Sequence, residues 1–269
     1  MENAVKFEKS SFNKRLKSML KVDFRRMWRS GLLYILIACA FIMPVLMTVM
    51  MTMMDGSVSV DPQTGAETVI HGPENAWQNI GALPGGETMG GMDVMSMCNI
   101  NMIFMAVCVF VCLFISDDFR SGYAKNLFTV RPNKSDYVVS KTLAGFVCGG
   151  MMLIAYFIGA VIGGAISGLS FELHGLTAGN IVMCMTAKIF LMLVFVSIFT
   201  LISVAAKQKT WLAVCASLGG GMLLFMMVPM ITPLSSTFMN VILCIAGGAM
   251  FAFGLGACSK RVLLKTSLV

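Results

Sequence analysis

Six uninterrupted apolar runs divide the chain, at residues 32–53, 97–116, 142–167, 181–206, 211–231 and 238–258. A helix rises about 1.5 Å per residue, so runs of this length cross a hydrocarbon layer about 30 Å thick. Inside such a layer every backbone N–H and C=O must be satisfied within the segment, and continuous apolar text without alternation selects helices over barrel strands. The whole chain agrees: 57% of its 269 residues are apolar and 12% charged, whereas soluble chains hold about 45–50% apolar residues. The expected fold class is an all-α polytopic membrane protein, one transmembrane domain over residues 1–269, with no soluble domain left over. The first run is read as a retained helix rather than a cleaved leader, because it is too long for a leader's apolar core and about thirty largely polar residues precede it. Of the nine cysteines, Cys39, Cys108, Cys112, Cys148, Cys184, Cys215 and Cys244 sit inside apolar runs, where thiols behave as small hydrophobes. No disulfide framework and no CxxC metal site is expected.

Charge sets the orientation. Nine of the 20 Lys and Arg precede the first run, five lie between the second and third, two between the fourth and fifth, and three follow the sixth. The remaining one is Lys188. The alternate loops carry no Lys or Arg, and hold Asp55, Asp61, Glu67, Glu74, Glu87, Asp93 and Glu172. The positive-inside rule then places both termini in the cytoplasm. The net charge of +7 reports topology and contact with anionic lipid, and no nucleic acid partner is expected.

Residues 10–30 form a basic amphipathic helix, expected to lie in the inner membrane interface. Phe12, Leu16, Met19, Leu20, Phe24 and Met27 share one arc; Lys14, Lys17, Lys21, Arg25 and Arg29 fall opposite. Asp23 interrupts the apolar arc, and either Arg26 or another chain would pair with it. Residues 54–93 make the longest outer loop. There SVSVDPQTGAETVI alternates around a Pro-Gly turn as a small hairpin, and PENAWQNIGAL supplies a helical turn or two, together a compact external lid. Gly145/Gly149, Gly159/Gly163 and Gly164/Gly168 keep the GxxxG spacing that lets helices approach closely, within one chain or between two. Pro44, Pro229 and Pro233 are placed to kink or end the first and fifth spans.

The interior of the runs is as informative for what it lacks. It contains no Asp, Glu, Arg or His, and only one Lys, Lys188, about two turns from the outer end of span four and within snorkelling reach of it. Ion-coupled transporters and intramembrane hydrolases need ionisable groups there. No Walker A text occurs either; GLGACSK at residues 254–260 lacks the spacing. Any work this chain does must be driven from outside it. Its apolar, Met-rich walls suit hydrophobic or amphipathic cargo, and Lys188, Met47 and Met50 are the candidate path residues. Outer Met clusters at 43–54 and 89–97 beside Cys98 leave a soft-metal reading open. His71 and His174 stand alone in loops, and no metal site is expected on the chain.

The stretch FISDDFRSGYAKNLFTVRPNK, Phe114 to Lys134, is the one dense polar patch between two spans. Ser116 and Asp117 are expected to cap the helix that follows. Its pattern, D-D-x-x-S-G-x-x-K-N followed by a Pro and by K-x-L at Lys141 to Leu143, resembles the first cytoplasmic loop of ABC-2-type transporter permeases. The basic helix before the first span and the six-span layout are similar too. The resemblance implies a type V exporter-like fold and a coupling loop over residues 117–141. Asp117, Asp118, Arg120, Gly122, Tyr123, Lys125, Asn126, Phe128 and Arg131 would there meet a separate ATP-binding subunit. It implies a connecting helix bearing Phe12, Leu16, Leu20, Asp23, Phe24, Arg25 and Met27. It further implies two ATP-binding subunits carrying ATP and Mg, a second permease chain as homodimer or heterodimer, no catalysis on this chain, and a bacterial cytoplasmic membrane location. The short loop TPLSSTFMN, residues 232–240, departs from relatives with re-entrant helices there. The function so implied is ATP-driven export of amphipathic peptides or hydrophobic compounds; the alternatives are a non-transporting scaffold, immunity or sensor protein, or a copper-related permease.

Overall fold

A computed structural model describes residues 12–60, 67–69, 72–81, 99–130 and 133–265. In chain order these form α1 (Phe12–Arg29), α2 (Gly31–Met53), β1 (Val58–Val60), β2 (Glu67–Val69), a single 3₁₀ turn (Ala76–Asn79), α3 (Met102–Arg120), α4 (Tyr123–Val130), α5 (Lys134–Ile166), α6 (Ala178–Ala206), α7 (Thr210–Phe225), α8 (Val228–Ile231) and α9 (Phe238–Lys265). The expected outer hairpin is present, antiparallel, with Val58 opposite Val69 and Val60 opposite Glu67. Arg131, His71, the Met89–Met97 cluster and Cys98 lie outside the described residues.

Among the described residues five helices, α2, α3, α5, α6 and α9, are long and apolar enough to cross a membrane. The fifth expected span, 211–231, is instead broken. Pro229 has no N–H for the Phe225 carbonyl, and its ring crowds that carbonyl. Accordingly α7 ends at Phe225 and α8 resumes at Val228. The 16 residues of α7 reach about 24 Å, short of a full crossing. At the ends facing the charged loops the long helices overshoot their apolar runs. α5 begins at Lys134 rather than 142, and α9 continues to Lys265 rather than 258.

Cross-links sort the helix ends into two groups. At the basic end Gln208 Nε2 donates to the Phe119 carbonyl (3.4 Å) and Lys134 Nζ to the Leu263 carbonyl (2.6 Å). At the acidic end Asn180 Nδ2 donates to the Ser236 carbonyl (3.2 Å) and the Cys184 thiol to that of Thr232 (3.5 Å). There the 3₁₀ turn seats itself: Asn79 Nδ2 donates to Thr48 Oγ1 (2.8 Å), and Trp77 meets Phe171 edge-on at 5.6 Å.

The core follows from which helices are covered. The most apolar stretch of α3 is 61% buried, against 22% for α2 and 17% for α9. So α3, α5 and α6 form the centre, with Phe104, Phe195 and Phe199 packed in series at 4.8 and 6.0 Å. Glycines set the close crossings. A Cβ on Gly145 would come within 2.9 Å of Val196 and Val111, and one on Gly149 within 2.7 Å of Met192. A Cβ on Gly159 would run into the Phe41 carbonyl and the Pro44 ring of α2. These GxxxG pairs thus serve packing within the chain. Overpacking such a crossing costs about 1–3 kcal/mol or more. Gly159→Leu is expected to lower the thermal unfolding midpoint of the detergent-purified chain by several degrees. Gly254→Ala, where nothing lies within 4 Å, should leave it unchanged or raise it slightly.

Candidate functional site

The basic end carries the charge chemistry. α3 does not stop before its acids. It runs through Asp117 and Asp118 to Arg120, and the Asp117 carbonyl accepts from Ser121 N (2.8 Å) and Ser121 Oγ (2.7 Å). The N-cap role expected for Ser116 and Asp117 is therefore overturned: both acids sit at the negative end of a helix dipole. Cations from two other helices make that placement tolerable.

Asp118 is fully buried. Its Oδ1 meets Arg26 Nη1 of α1 at 2.5 Å, and its Oδ2 meets Lys141 Nζ of α5 at 2.7 Å and accepts from Tyr137 Oη at 3.0 Å. Lys141 turns equally to Asp23 (2.8 Å), whose other oxygen accepts from Ser140 Oγ. Asp23 therefore pairs across the fold with Lys141, not with Arg26 or another chain. It stands between Met19 and Met27, the buried residues one turn away on either side. Two carboxylates, one ammonium and one guanidinium make a neutral set, the condition under which buried charge is affordable.

Rings complete the enclosure. Lys141 Nζ lies 4.0 Å from the centre of the Phe114 ring and 5.4 Å from that of Tyr137. Arg26 lies 4.5 Å from the centre of the Tyr123 ring and 5.5 Å from that of Phe114. Burial opposes the Arg26 charge, but the charge and hydrogen bond of Asp118 outweigh it and hold the guanidinium above its ordinary range. A second tie, Arg15 Nε to Asp136 Oδ2 at 3.0 Å, joins α1 to the first turn of α5.

α4 hangs on this cluster. Gly122, at φ +75°, makes the left-handed turn that reverses the chain out of α3. Ala124 is buried, Leu127 and Phe128 are half-buried, and Phe128 packs edge-on to Tyr137 at 5.3 Å. Lys125, Asn126 and Thr129 face outward, as do Arg120 and Asp117. The expected coupling residues therefore divide. Asp118 is structural cement; Gly122, Tyr123 and Phe128 position α4; Asp117 and Arg120 at the end of α3, with Lys125 and Asn126 on α4, form the accessible rim. On α1, Leu16, Leu20 and Phe24 are half-buried, while Phe12 and Arg25 are exposed.

Sequence reasoning named Arg26 as a possible partner of Asp23 and put Tyr137, Ser140 and Lys141 inside the coupling loop, but gave none of the four a place in a buried charge cluster. The signal available was Asp23: an acid on an apolar arc needs a buried cation.

The expected path residues are not brought together. Lys188 does not snorkel. It is fully buried and donates to Asn101 Oδ1 (2.7 Å) and Thr232 Oγ1 (3.0 Å), because its face of α6 points into the bundle. Met47 lines an apolar cavity of about 320 Å³ with Met43, Met102, Met105, Met152 and Tyr156; Met50 is exposed. Among the described residues no group of three or more His, Cys, Asp or Glu could hold a metal.

These features define a multi-pass helical membrane protein with a short polar helix clamped at its basic end. The family described as ABC-2 family transporter protein matches residues 19–223, from within α1 to the end of α7. The chain belongs to that family, and as such is a permease component of an ABC transporter rather than its catalytic part. No curated protein and no solved structure matches it.

Removing one partner of a buried ion pair costs about 3–5 kcal/mol. Lys141→Met, which leaves Asp23 and Asp118 facing each other, is expected to cost that much in thermal or denaturant unfolding and to make α1 protease-sensitive. Lys125→Met on the exposed rim should change stability by under about 0.5 kcal/mol.

Proposed function

We propose that this chain is the membrane half of an ATP-driven exporter, and that α4 is the element through which a separate ATP-binding subunit grips it. The observation that carries the reading is the division of α4: an inner side fixed to α1 and α5 through Arg26, Tyr123 and the Phe128–Tyr137 contact, and an outer side offering Lys125 and Asn126, with Arg120 at the end of α3 beside it. A force applied to that rim reaches α3, α5 and α1 together, because the buried charges forbid them to slide independently.

The topology completes the reading. α7 begins beside Phe119 at the basic end, and the turn after α8 reaches Ser236 and Asn180 at the acidic end. α7 and α8 together thus act as a sixth, broken crossing. Both termini then share the cytoplasmic side with the basic loops, as the positive-inside rule requires. Two such chains would pair through the exposed apolar faces of α2, α7 and α9, over two ATP-binding subunits that carry ATP and Mg, in a bacterial cytoplasmic membrane.

Amphipathic peptides or hydrophobic compounds fit as cargo. A groove of about 1100 Å³ between the start of α2, α3 and the start of α7 has Phe110, Leu113, Phe114 and Trp211 on its walls and Asp117, Arg120 and Lys209 at its mouth. That is apolar body and polar head in one channel.

Purification from the native membrane in mild detergent is expected to bring down a stoichiometric ATPase with a P-loop. Lys125→Glu with Arg120→Glu should abolish that association, and with it ATPase stimulation, by tenfold or more, while the chain still inserts and unfolds at its usual temperature. Asp118 is unsuitable for this purpose, since reversing it breaks the fold. A chain that purifies alone, or with a partner lacking ATPase activity, would instead support the scaffold or sensor alternative.

A further inference from the structure

α3 is the most covered of the crossing helices, yet one face of it stays bare from end to end. The uncovered residues are Met102, Ala106, Val109, Leu113, Asp117 and Arg120, with Met105 and Phe114 beside them. They recur three or four residues apart, so they form one stripe along the helix. From Met102 to Arg120 the helix rises about 27 Å, close to the hydrocarbon thickness of about 30 Å. Two hollows follow the stripe. The Met-lined cavity takes Met102, Met105 and Ala106 toward the acidic end. The groove between α2, α3 and α7 takes Val109, Leu113, Phe114, Asp117 and Arg120 toward the basic end. Ala106 and Val109, one turn apart, mark where the two meet on α3.

The chemistry along the stripe is graded. At its mouth, Arg120 and Lys209 have no ion pair among the described residues, while Asp117 is turned to Arg26 at 3.7 Å. Lys209 is also the N-cap of α7, with no side chain capping it, so its charge sits at the positive end of that helix. Positive charge is therefore in excess at the mouth. An aromatic wall follows: Phe110 and Phe114 stack at 5.3 Å, and Trp211 of α7 lines the same groove. Farther on come the thioethers of Met43, Met47, Met102, Met105 and Met152, flexible side chains that reshape around an apolar guest.

We propose that this stripe seats a long-chain anionic amphiphile, its head group between Arg120 and Lys209 and its tail along α3 toward Met102. Charge decides the sign of the head, since a cationic head would add to an excess already unbalanced. Length decides the shape of the tail, since a narrow face of this span is followed by an extended chain. The seat names the cargo class of the transport reading and rests on that reading. Binding itself needs neither ATP nor a partner, so the two fail separately. Arg120 also belongs to the rim offered to the ATP-binding subunit; Lys209 does not, and is the cleaner probe.

The test uses the full chain in nanodiscs of zwitterionic lipid, without ATP or partner. The probe is hexadecyl phosphate carrying a photoreactive diazirine at the end of its chain, and cross-linked peptides are mapped by mass spectrometry. Expected is saturable labelling between Met102 and Ala106 and at Met43 or Met47, displaced by unlabelled hexadecyl phosphate. The same chain with a trimethylammonium head should label these residues about tenfold less. Lys209→Gln should weaken labelling by the phosphate several-fold, and Lys209→Gln with Arg120→Gln about tenfold. Both side chains are exposed, so neither variant threatens the fold. Val109→Trp, which fills the stripe at mid-length, should cut labelling at Met102 by a similar factor. Equal labelling by the two head groups, or labelling spread without saturation over α9, would overturn the proposal and assign the stripe to bulk lipid. No labelling, with cross-links between two copies through a photoreactive residue placed at Leu113, would overturn it in favour of a second chain. Failed labelling beside a co-purifying P-loop ATPase removes the seat and leaves the transport reading; saturable labelling with no ATPase supports the seat and removes the exporter.

Discussion

The arrangement at the basic end depends on where Lys141 puts its charge. A lysine amine fully withdrawn from water must be met by carboxylates, and here it is met by two, Asp23 from α1 and Asp118 from α3, with three aromatic rings around it. Arg26 brings the set to neutrality. Buried ion pairs are rarely more stabilising than well-packed apolar side chains of the same volume. Their effect here is on register. An apolar face on α1 could settle against α5 at several positions, but a buried Asp23 can settle only where Lys141 is. The same reasoning fixes the end of α3, where the acids of its last turn oppose the helix dipole and require Arg26 and Lys141 to be in place. A clamp so specified turns four separate elements, α1, α3, α4 and the start of α5, into one body.

Farther into the bundle, steric contact takes over from charge. Gly145 and Gly149 let α5 close against α6 and α3, and Gly159 and Gly163 let it close against α2. Gly248 does the same for α9, where a Cβ would stand 3.0 Å from the Phe190 carbonyl. In lipid there is little hydrophobic force between helices, and close packing is what holds them. The outer faces of α2, α7 and α9 remain apolar and uncovered, the condition expected of surfaces that meet lipid or another chain.

Much of this was legible in the sequence. Five of the six apolar runs became long helices, Val58–Val60 paired with Glu67–Val69 as the expected hairpin strands, and the amphipathic arc of residues 12–29 became α1 with Met19 and Met27 buried. Pro229 was recognisable as a breaker. What escaped was always a matter of partners. Asp23 announced a buried cation, but its partner lies 118 residues away, and no local pattern carries that distance. Ser116 and Asp117 resembled an N-cap because a polar patch after an apolar run commonly starts a new helix; α3 passed through them because cations from elsewhere neutralised the acids. Lys188 looked able to reach the interface, yet the rotation of α6 turns it inward to Asn101 and Thr232.

The sequence by itself determined that this chain is a multi-pass membrane protein and which of its segments are apolar spans and which are charged loops. Those properties depend on run length and loop charge, which act locally and need no knowledge of neighbours. Only the tertiary structure decided which charges are cement and which are accessible, since burial is a property of the assembled bundle. By that decision Asp118 belongs to the interior and Lys125 to the surface, although they lie seven residues apart.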